Sequence, residues 1–521
     1  MQGEARTTPL VEMRGITKLF SGVTANDDVD FSVKAGEVHA LLGENGAGKS
    51  TLMNVLYGLY APEKGQIFIK GTQRVFRSPK DAIAAGIGMV HQHFMLVQTQ
   101  TVWENMILGL EGTGFFLPRR KIQDRIAEIS EHYGLQIDPS AFVWQLSTGE
   151  QQRVAILQML YRNAEVLILD EPTAVLTPQE AGYLFKTMRR MKEEGHGIVF
   201  ITHKMHEVMN ETSRVTVLRK GRNAGTVMTN ETTPEALAEM MMGEKVPIDL
   251  FKSPLQPGPE LLEVENISVL NDRGLPAVEG LSFCLRPHEI LGVAGIAGNG
   301  QRELCEAVVG LRAVTEGKIY LQEEDMTHAS PRAFIDRGVH YVPSDRKQVG
   351  MAADLDVNVN SVLRSYWQAP FSRHGVIDWS SCEEHSRNII DNYHVSVPSG
   401  RTPVRNLSGG NLQKLLLGRE LSRDLRVLIA MHPTWGLDIA ATRYVREQIL
   451  CAREQGCAIL LVSEDLDELM AMSDRLAVIF KGQFMGVLAE PSAVSFEKIG
   501  LMMAGSRASE VLKEEECCHE A

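Results

Sequence analysis

No apolar run in this 521-residue chain approaches the ~18–20 residues that a membrane-spanning helix needs. The opening residues, Met1-Gln2-Gly3-Glu4-Ala5-Arg6, contain no apolar stretch of the signal-peptide kind. The chain is therefore expected to stay in the cytoplasm and to reach a membrane only through a partner. Cysteine is scarce and odd in number: seven residues, scattered apart from Cys517-Cys518. That argues against a disulfide framework and fits reduced thiols. No Cys/His spacing has the form of a zinc site, and Glu514-Glu515-Glu516-Cys517-Cys518-His519 reads as a frayed acidic terminus. Basic charge is short. Against 66 Asp and Glu stand 53 Lys and Arg, a net charge of −13, so a nucleic-acid backbone is not an expected partner. The apolar (44%) and charged (23%) fractions are ordinary for a globular protein, and the length predicts two to four domains.

What the chain does have is repetition. Leu146-Ser147-Thr148-Gly149-Glu150 and Leu407-Ser408-Gly409-Gly410-Asn411 stand 261 residues apart. Val166-Leu167-Ile168-Leu169 and Val427-Leu428-Ile429-Ala430 keep that separation, as do Glu171-Pro172-Thr173 and His432-Pro433-Thr434. An offset held over this length means a duplicated fold. Both halves also open alike, at Val11-Glu12-Met13 and Leu262-Glu263-Val264, and both close on methionines, Met240-Met241-Met242 and Met502-Met503. Pro247, Pro254, Pro257, Gly258 and Pro259 mark an irregular linker between them, with the boundary near residue 255. Short aliphatic runs such as Val38–Leu42, Val166–Leu169 and Ile198–Thr202 alternate with helical patterns over 50–58, 151–161 and 179–194. That alternation predicts an α/β fold with a mainly parallel sheet in each half.

The first half carries Gly43-Glu44-Asn45-Gly46-Ala47-Gly48-Lys49-Ser50-Thr51, a complete G-x-x-x-x-G-K-[ST] phosphate loop. Such a loop aims backbone N–H groups at phosphate, with Lys49 reaching the β/γ-phosphates of ATP and Ser50 binding Mg²⁺. Asp170 and Glu171 follow an apolar strand, where ligands of an open α/β sheet gather. Asp170 suits the Mg²⁺ shell and Glu171 a general base for the attacking water. Taken alone, either acid could simply cap a helix; beside a phosphate loop that reading recedes. His203 ends another strand and is placed to contact the γ-phosphate. Gln92, between His91 and His93, is placed to sense Mg²⁺ or water, and the two histidines read as strand-edge residues.

These motifs resemble those of the ATP-binding cassette (ABC) ATPases. Leu146-Ser147-Thr148-Gly149-Glu150-Gln151-Gln152 and Leu407-Ser408-Gly409-Gly410-Asn411-Leu412-Gln413 look like that family's signature. The resemblance covers nearly the whole chain. It implies two tandem P-loop NTPase domains, 8–246 and 260–508. Each has a mainly parallel sheet core, an antiparallel β subdomain and a helical subdomain. A 247–259 linker joins them, and a disordered acidic tail runs over 509–521. Phe20 falls where the family stacks an aromatic on adenine. The resemblance further implies head-to-tail sandwiching of ATP. One site pairs Gly43–Thr51, Gln92, Asp170, Glu171 and His203 with Ser408, Gly409 and Gly410, and Asp438 takes the family's D-loop aspartate position.

The second site departs from the pattern. Lysine and serine become Gln301 and Arg302 within Gly295-Ile296-Ala297-Gly298-Asn299-Gly300. The carboxylate pair becomes Met431 and His432, the histidine Glu464, the glutamine Ser344, and Phe20 has Asn271 as counterpart. The first half lacks the D-loop aspartate at Val175-Leu176-Thr177. Hydrolysis is not expected there; the glycine framework and Arg302 leave nucleotide binding open. Two fused cassettes without membrane spans resemble the ATP subunits of simple-sugar and nucleoside importers, and residues 89–97 and 171–178 look most like the nucleoside branch. The expectation is an importer motor on the cytoplasmic membrane face. It would work with separate permease subunits and, indirectly, an outside-facing solute-binding protein. Nucleoside ranks first as cargo, ribose-like or galactose-like sugars second. The competing reading is a ribosome-associated tandem-cassette ATPase, against which stand the short Pro-rich linker, the missing second glutamate and the acidic charge.

Overall fold

The computed structural model describes residues 8–20, 22–44, 46–91, 94–110, 118–173, 176, 178–202, 204–243 and 251–512. Asn45, Gln92, His93, His203, Val175 and Thr177 lie outside the described residues, as do 244–250 and 513–521. The chain divides into two compact units, Met1–Ile248 and Asp249–Ala521.

The first unit holds two sheets. A four-stranded antiparallel sheet runs β2-β1-β4-β5, from β1 (Val11–Phe20), β2 (Val23–Val33), β4 (Lys64–Ile69) and β5 (Thr72–Arg74). A six-stranded sheet runs β10-β9-β3-β8-β7-β6. Its strands are β3 (Glu37–Gly43), β6 (Ile87–Val90), β7 (Val166–Asp170), β8 (Gly197–Ile201), β9 (Arg214–Arg219) and β10 (Arg222–Met228). All its pairs are parallel except the β9–β10 edge hairpin. β3, β6 and β8 are buried throughout, the burial expected of strands covered on both faces. One core, including Val11, Phe31, Leu52 and Ile168, lies toward the antiparallel sheet and the helix Lys49–Leu56. The other, including Val102, Ile126, Leu157 and Phe200, lies toward the helices Val102–Ile107, Arg119–Tyr133, Thr148–Tyr161 and Pro178–Glu193.

The second unit repeats this plan. β11 (Leu262–Leu270), β12 (Pro276–Leu285), β14 (Val314–Leu321) and β15 (Glu324–Asp325) form the antiparallel sheet β12-β11-β14-β15. β13 (Ile290–Ala294), β16 (Val339–Val342), β19 (Val427–Met431), β20 (Ala458–Ser463), β21 (Arg475–Phe480) and β22 (Gln483–Leu488) form the sheet β16-β19-β20-β13-β21-β22. That is the first unit's order, strand for strand. The second unit also has a hairpin, β17 (Ser372–Arg373) with β18 (Val376–Ile377), just before the helix Trp379–Asn392.

The described part of the expected linker packs on the second unit. Lys252 Nζ donates to the Ser473 carbonyl at 2.6 Å, and Arg453 donates to the Ser253 carbonyl at 2.9 Å. The tail expected to be disordered from 509 instead begins with a helical turn, Ala508–Val511, because Ala508 and Leu512 pack on the apolar core. Among the described residues no helix is long and apolar enough to cross a membrane.

Candidate functional site

In a parallel sheet the carboxyl ends of neighbouring strands open one crevice. Here β3 delivers the glycine loop to that crevice and β7 delivers two acids. Two glycines are required by geometry. A Cβ at Gly43 (φ 157°) would strike the Leu218 carbonyl, and one at Gly48 (φ 98°) the Ala25 carbonyl and the Asn26 amide. Asn26 is fully buried and donates Nδ2 to the Gly48 carbonyl at 3.1 Å, fixing the turn into the helix Lys49–Leu56.

Lys49 is only 6% exposed. Its Nζ donates to the Gly43 carbonyl at 2.7 Å and the Glu44 carbonyl at 2.9 Å. Burial pulls its pKa down, opposed by the nearby carboxylates of Glu171, Asp170 and Glu44. Asp170 goes the other way. Burial raises its pKa, the Glu171 charge raises it further, and a hydrogen bond with the Ser50 side chain and the Lys49 charge oppose the rise. The fold thus brings Lys49, Ser50, Asp170 and Glu171 together around the loop. Glu171 has left-handed backbone (φ 45°), and its N–H donates to the Ile201 carbonyl at 2.9 Å. That turns the chain sharply at the strand end, a cost normally met at functional positions. Next to position 203, Thr202 donates to buried Glu207 at 3.1 Å and accepts from the Lys204 N–H, also at 3.1 Å.

Phe20 ends β1, 38% exposed. Tyr60 meets it edge to face, ring centroids 5.1 Å apart at 80°, and Lys18 Nζ lies 5.2 Å from the Phe20 ring centre. Tyr60 N–H donates to the Asn54 carbonyl at 3.3 Å, tying this ring to the helix that follows the glycine loop. Tyr60 was not singled out by the sequence, where an aromatic four residues after a helix end carries no motif.

Ser147 caps the helix Thr148–Tyr161, accepting from the Glu150 N–H at 3.2 Å, while the Glu150 carboxylate accepts from the Ser147 N–H at 2.8 Å. Ser408 caps Gly409–Leu421, accepting from Asn411 Nδ2 at 3.0 Å. A Cβ on Gly409 would meet nothing within 4 Å; on Gly410 it would come 3.3 Å from Ala441. Asp438 caps the helix Ile439–Glu454 through the Ala441 N–H at 2.7 Å. Ser408, Gly409 and Gly410 thus stand at a helix start within the second unit.

In the second unit Gln301 is 3% exposed. Its Nε2 donates to the Ile296 carbonyl at 2.8 Å and its Oε1 accepts from the Asn299 N–H at 3.0 Å. Arg302 points into an ion network instead of the loop, bonding Glu306 at 2.7 Å and Asp272 at 3.4 Å. Met431 is buried, and the Tyr341 hydroxyl approaches its sulfur at 3.9 Å. His432 keeps the left-handed backbone (φ 46°), and burial lowers its pKa to about 4, so the ring is neutral at physiological pH. Burial raises the pKa of Glu464, and the Ala297 N–H beside it opposes the rise.

A family model described as "ABC transporter" matches residues 26–174 and 278–434. The chain is 44% identical to the glucose import ATP-binding protein of Haloferax volcanii, covering 95% of this chain and 96% of that one. It is 42% identical to the nucleoside import ATP-binding protein of Lactococcus lactis (96% and 99% covered). It is 45% identical to the guanosine import ATP-binding protein of Bacillus subtilis (97% and 99% covered). With a matched glycine loop, strand-end turn and signature helix in each of two units, the chain belongs to the ABC transporter family, as an ATPase with two cassettes.

Proposed function

We propose that the chain is the motor subunit of an ABC importer, and that its first unit alone hydrolyses ATP. One observation carries this: Lys49, Ser50, Asp170 and Glu171 surround one glycine loop, whereas Gln301, Arg302, Met431 and His432 stand at the other. Phe20 stacks the adenine. The loop N–H groups of 43–51, including those of Asn45, Gly46 and Ala47, cradle the phosphates, and Lys49 trades its two carbonyl partners for phosphate oxygens. Ser50 and Asp170 would hold Mg²⁺ with Gln92. The Ser50 hydroxyl lies near enough to the Asp170 carboxyl to oppose the rise of its pKa, so a hydroxyl and a carboxylate stand side by side, which fits the ion. When bound, Mg²⁺ supplies charge neutralisation across the β- and γ-phosphates.

Glu171 accepts a proton from water as the water oxygen bonds to the γ-phosphorus. The bond to the β–γ bridging oxygen breaks, leaving ADP and phosphate. His203 contacts the γ-phosphate. Ser408, Gly409 and Gly410 complete the site from the second unit, with the start of a 13-residue helix facing the γ-phosphate. The subunit works peripherally at the cytoplasmic membrane face, against separate permease subunits, with a solute-binding protein outside.

The cargo is a nucleoside, with ribose-like or galactose-like sugars second. Support comes from residues 89–97 and from two of the three relatives above, named for nucleoside and guanosine import. The ribosome-associated alternative is not favoured, since full-length relatives are named as import proteins. The test is solute uptake in a strain lacking this chain, together with copurification of its permease. Loss of nucleoside uptake is expected. Unchanged nucleoside uptake with lost sugar uptake would reverse the cargo ranking, and unchanged uptake of both would reject the importer reading.

A further inference from the structure

Whether the second glycine loop takes up nucleotide is decided by what already fills it. At its phosphate end, Gln301 spans the loop. It holds the Ile296 carbonyl through Nε2 at 2.8 Å and consumes the Asn299 N–H through Oε1 at 3.0 Å. Asn299 braces the same loop, its Nδ2 on the Ile296 carbonyl at 2.9 Å and its Oδ1 accepting from the Lys481 N–H at 2.7 Å. The half-buried Glu464 side chain lies near the Ala297 N–H, close enough for that N–H to oppose the rise of its pKa. A carboxylate beside a loop amide is the same kind of guest as a phosphate oxygen. An incoming phosphate would have to displace it against like-charge repulsion and without a lysine to compensate.

The base end carries an ion network, with Arg312 and Glu306 mostly buried at its centre and Arg302 and Asp272 on its exposed side. Gly58 and Gly310 make equivalent left-handed turns (φ 78° and 73°), so Arg312 stands where the first unit has Tyr60. Arg312 donates to the Leu270 carbonyl at 3.0 Å and pairs with Asp272 and Glu306, each at 2.7 Å. Arg302 joins the same two acids. Asn271, the counterpart of Phe20, spends its side-chain oxygen on the N–H groups of Arg273 at 2.9 Å and Leu275 at 3.1 Å. Where the first unit offers two exposed rings, the second has a cross-linked ionic patch and no stacking surface.

We propose that the second cleft is filled from within by Gln301, Glu464 and the Arg302–Glu306–Arg312–Asp272 network, and takes up no nucleoside triphosphate. The second unit then contributes its signature helix without a nucleotide of its own. This rests on the function proposed above only for the comparison with the first unit.

The experiment is photolabelling of the full-length chain with 8-azido-ATP, with adducts mapped to peptides. Adducts are expected in the first unit's antiparallel-sheet peptides (11–74) and none in the second unit's (262–325). Wild-type adducts in 262–325 at a yield comparable with the first unit would overturn the inference. An opened variant, Gln301→Lys with Glu464→Ala and Arg312→Ala, is expected to raise second-unit labelling at least about tenfold above the wild-type background, the ratio that ~1.4 kcal/mol of relieved repulsion gives. A folded opened variant, checked by circular dichroism, that labels no better than wild type would equally overturn it. Labelling of neither unit in the wild type would count against the ATP site proposed for the first unit, while a gain in the opened variant would still uphold the filled cleft.

Discussion

Glu171 and His432 share one backbone conformation, φ 45° and 46°, each directly after a parallel strand. Each donates its N–H to a carbonyl at the carboxyl end of the adjacent strand, Ile201 at 2.9 Å and Val462 at 2.7 Å. A left-handed non-glycine residue costs on the order of 1 kcal/mol. The second unit has kept that cost while losing the acid, so the kink belongs to the strand-to-loop geometry. What distinguishes the units is the side chain carried on it.

Glu171→Gln therefore keeps the backbone turn and removes the proposed proton acceptor. Steady-state ATPase is expected to fall ~10²–10⁴-fold, with ATP binding retained because Lys49 and the loop are untouched. Turnover within threefold of the unmodified protein would remove Glu171 from the role of base.

Ser408→Arg is expected to abolish hydrolysis, although Ser408 lies in the unit whose strand-end pair is Met431 and His432, if its helix start completes the first site as proposed. Ser147→Arg is expected to do less, since under the same proposed pairing its helix start would serve the second glycine loop. Both serines cap helices, so each change also costs about 1 kcal/mol of cap stability, and thermal melting of the two variants provides the control. Hydrolysis lost with Ser147→Arg and kept with Ser408→Arg would refute the pairing across units.

The glycine loop, the strand-end acids, the signature helices and the repeat were legible because each ties a residue type to a fixed spacing. The duplication also foretold two equal sheet orders. Other features depend on contacts between residues far apart in the chain. Glu464 lies near Ala297, 167 positions earlier, and Arg312 pairs with Asp272 across two strands. No local pattern encodes such partners. Arg302 shows the difference most clearly. Its position in the loop suggested an anion ligand, and its i,i+4 partner Glu306 takes it away. Tyr60 was missed for the same reason, since its meaning lies in the ring it meets.

Restoring a single acid is not expected to revive the second unit. Met431→Asp places a carboxylate before His432, with Gln301 and Arg302 where the first unit has its lysine and serine, and with no acid at 432 to act as base. Groups that act as a unit do not contribute separately. ATPase should stay close to that of the unmodified protein, whereas Lys49→Ala should remove nearly all of it. A Lys49→Ala variant retaining half the rate would place hydrolysis outside the first unit.

Acid should loosen the second unit through His432. Burial lowers the pKa of this ring from 6.5 to about 4. Above pH 6.5 the ring is neutral whether the chain is folded or unfolded, and the stabilisation is complete. As pH falls from 6.5 toward 4, the unfolded chain gains the proton first and the folded state loses up to roughly 3 kcal/mol relative to it. His432→Gln has no proton to gain and should flatten the profile. Hydrogen–deuterium exchange of β19 and β20 amides at pH 7 and pH 4.5, corrected for intrinsic rates, reads the effect locally. The first unit has its own buried ring, His39, lowered to about 3 by burial and by the Arg214 charge. Its β3 amides should therefore lose protection at low pH in the His432→Gln variant as in the original, while β19 and β20 no longer do. Equal acid sensitivity of β19 and β20 in both proteins would show that His432 is not the group responsible.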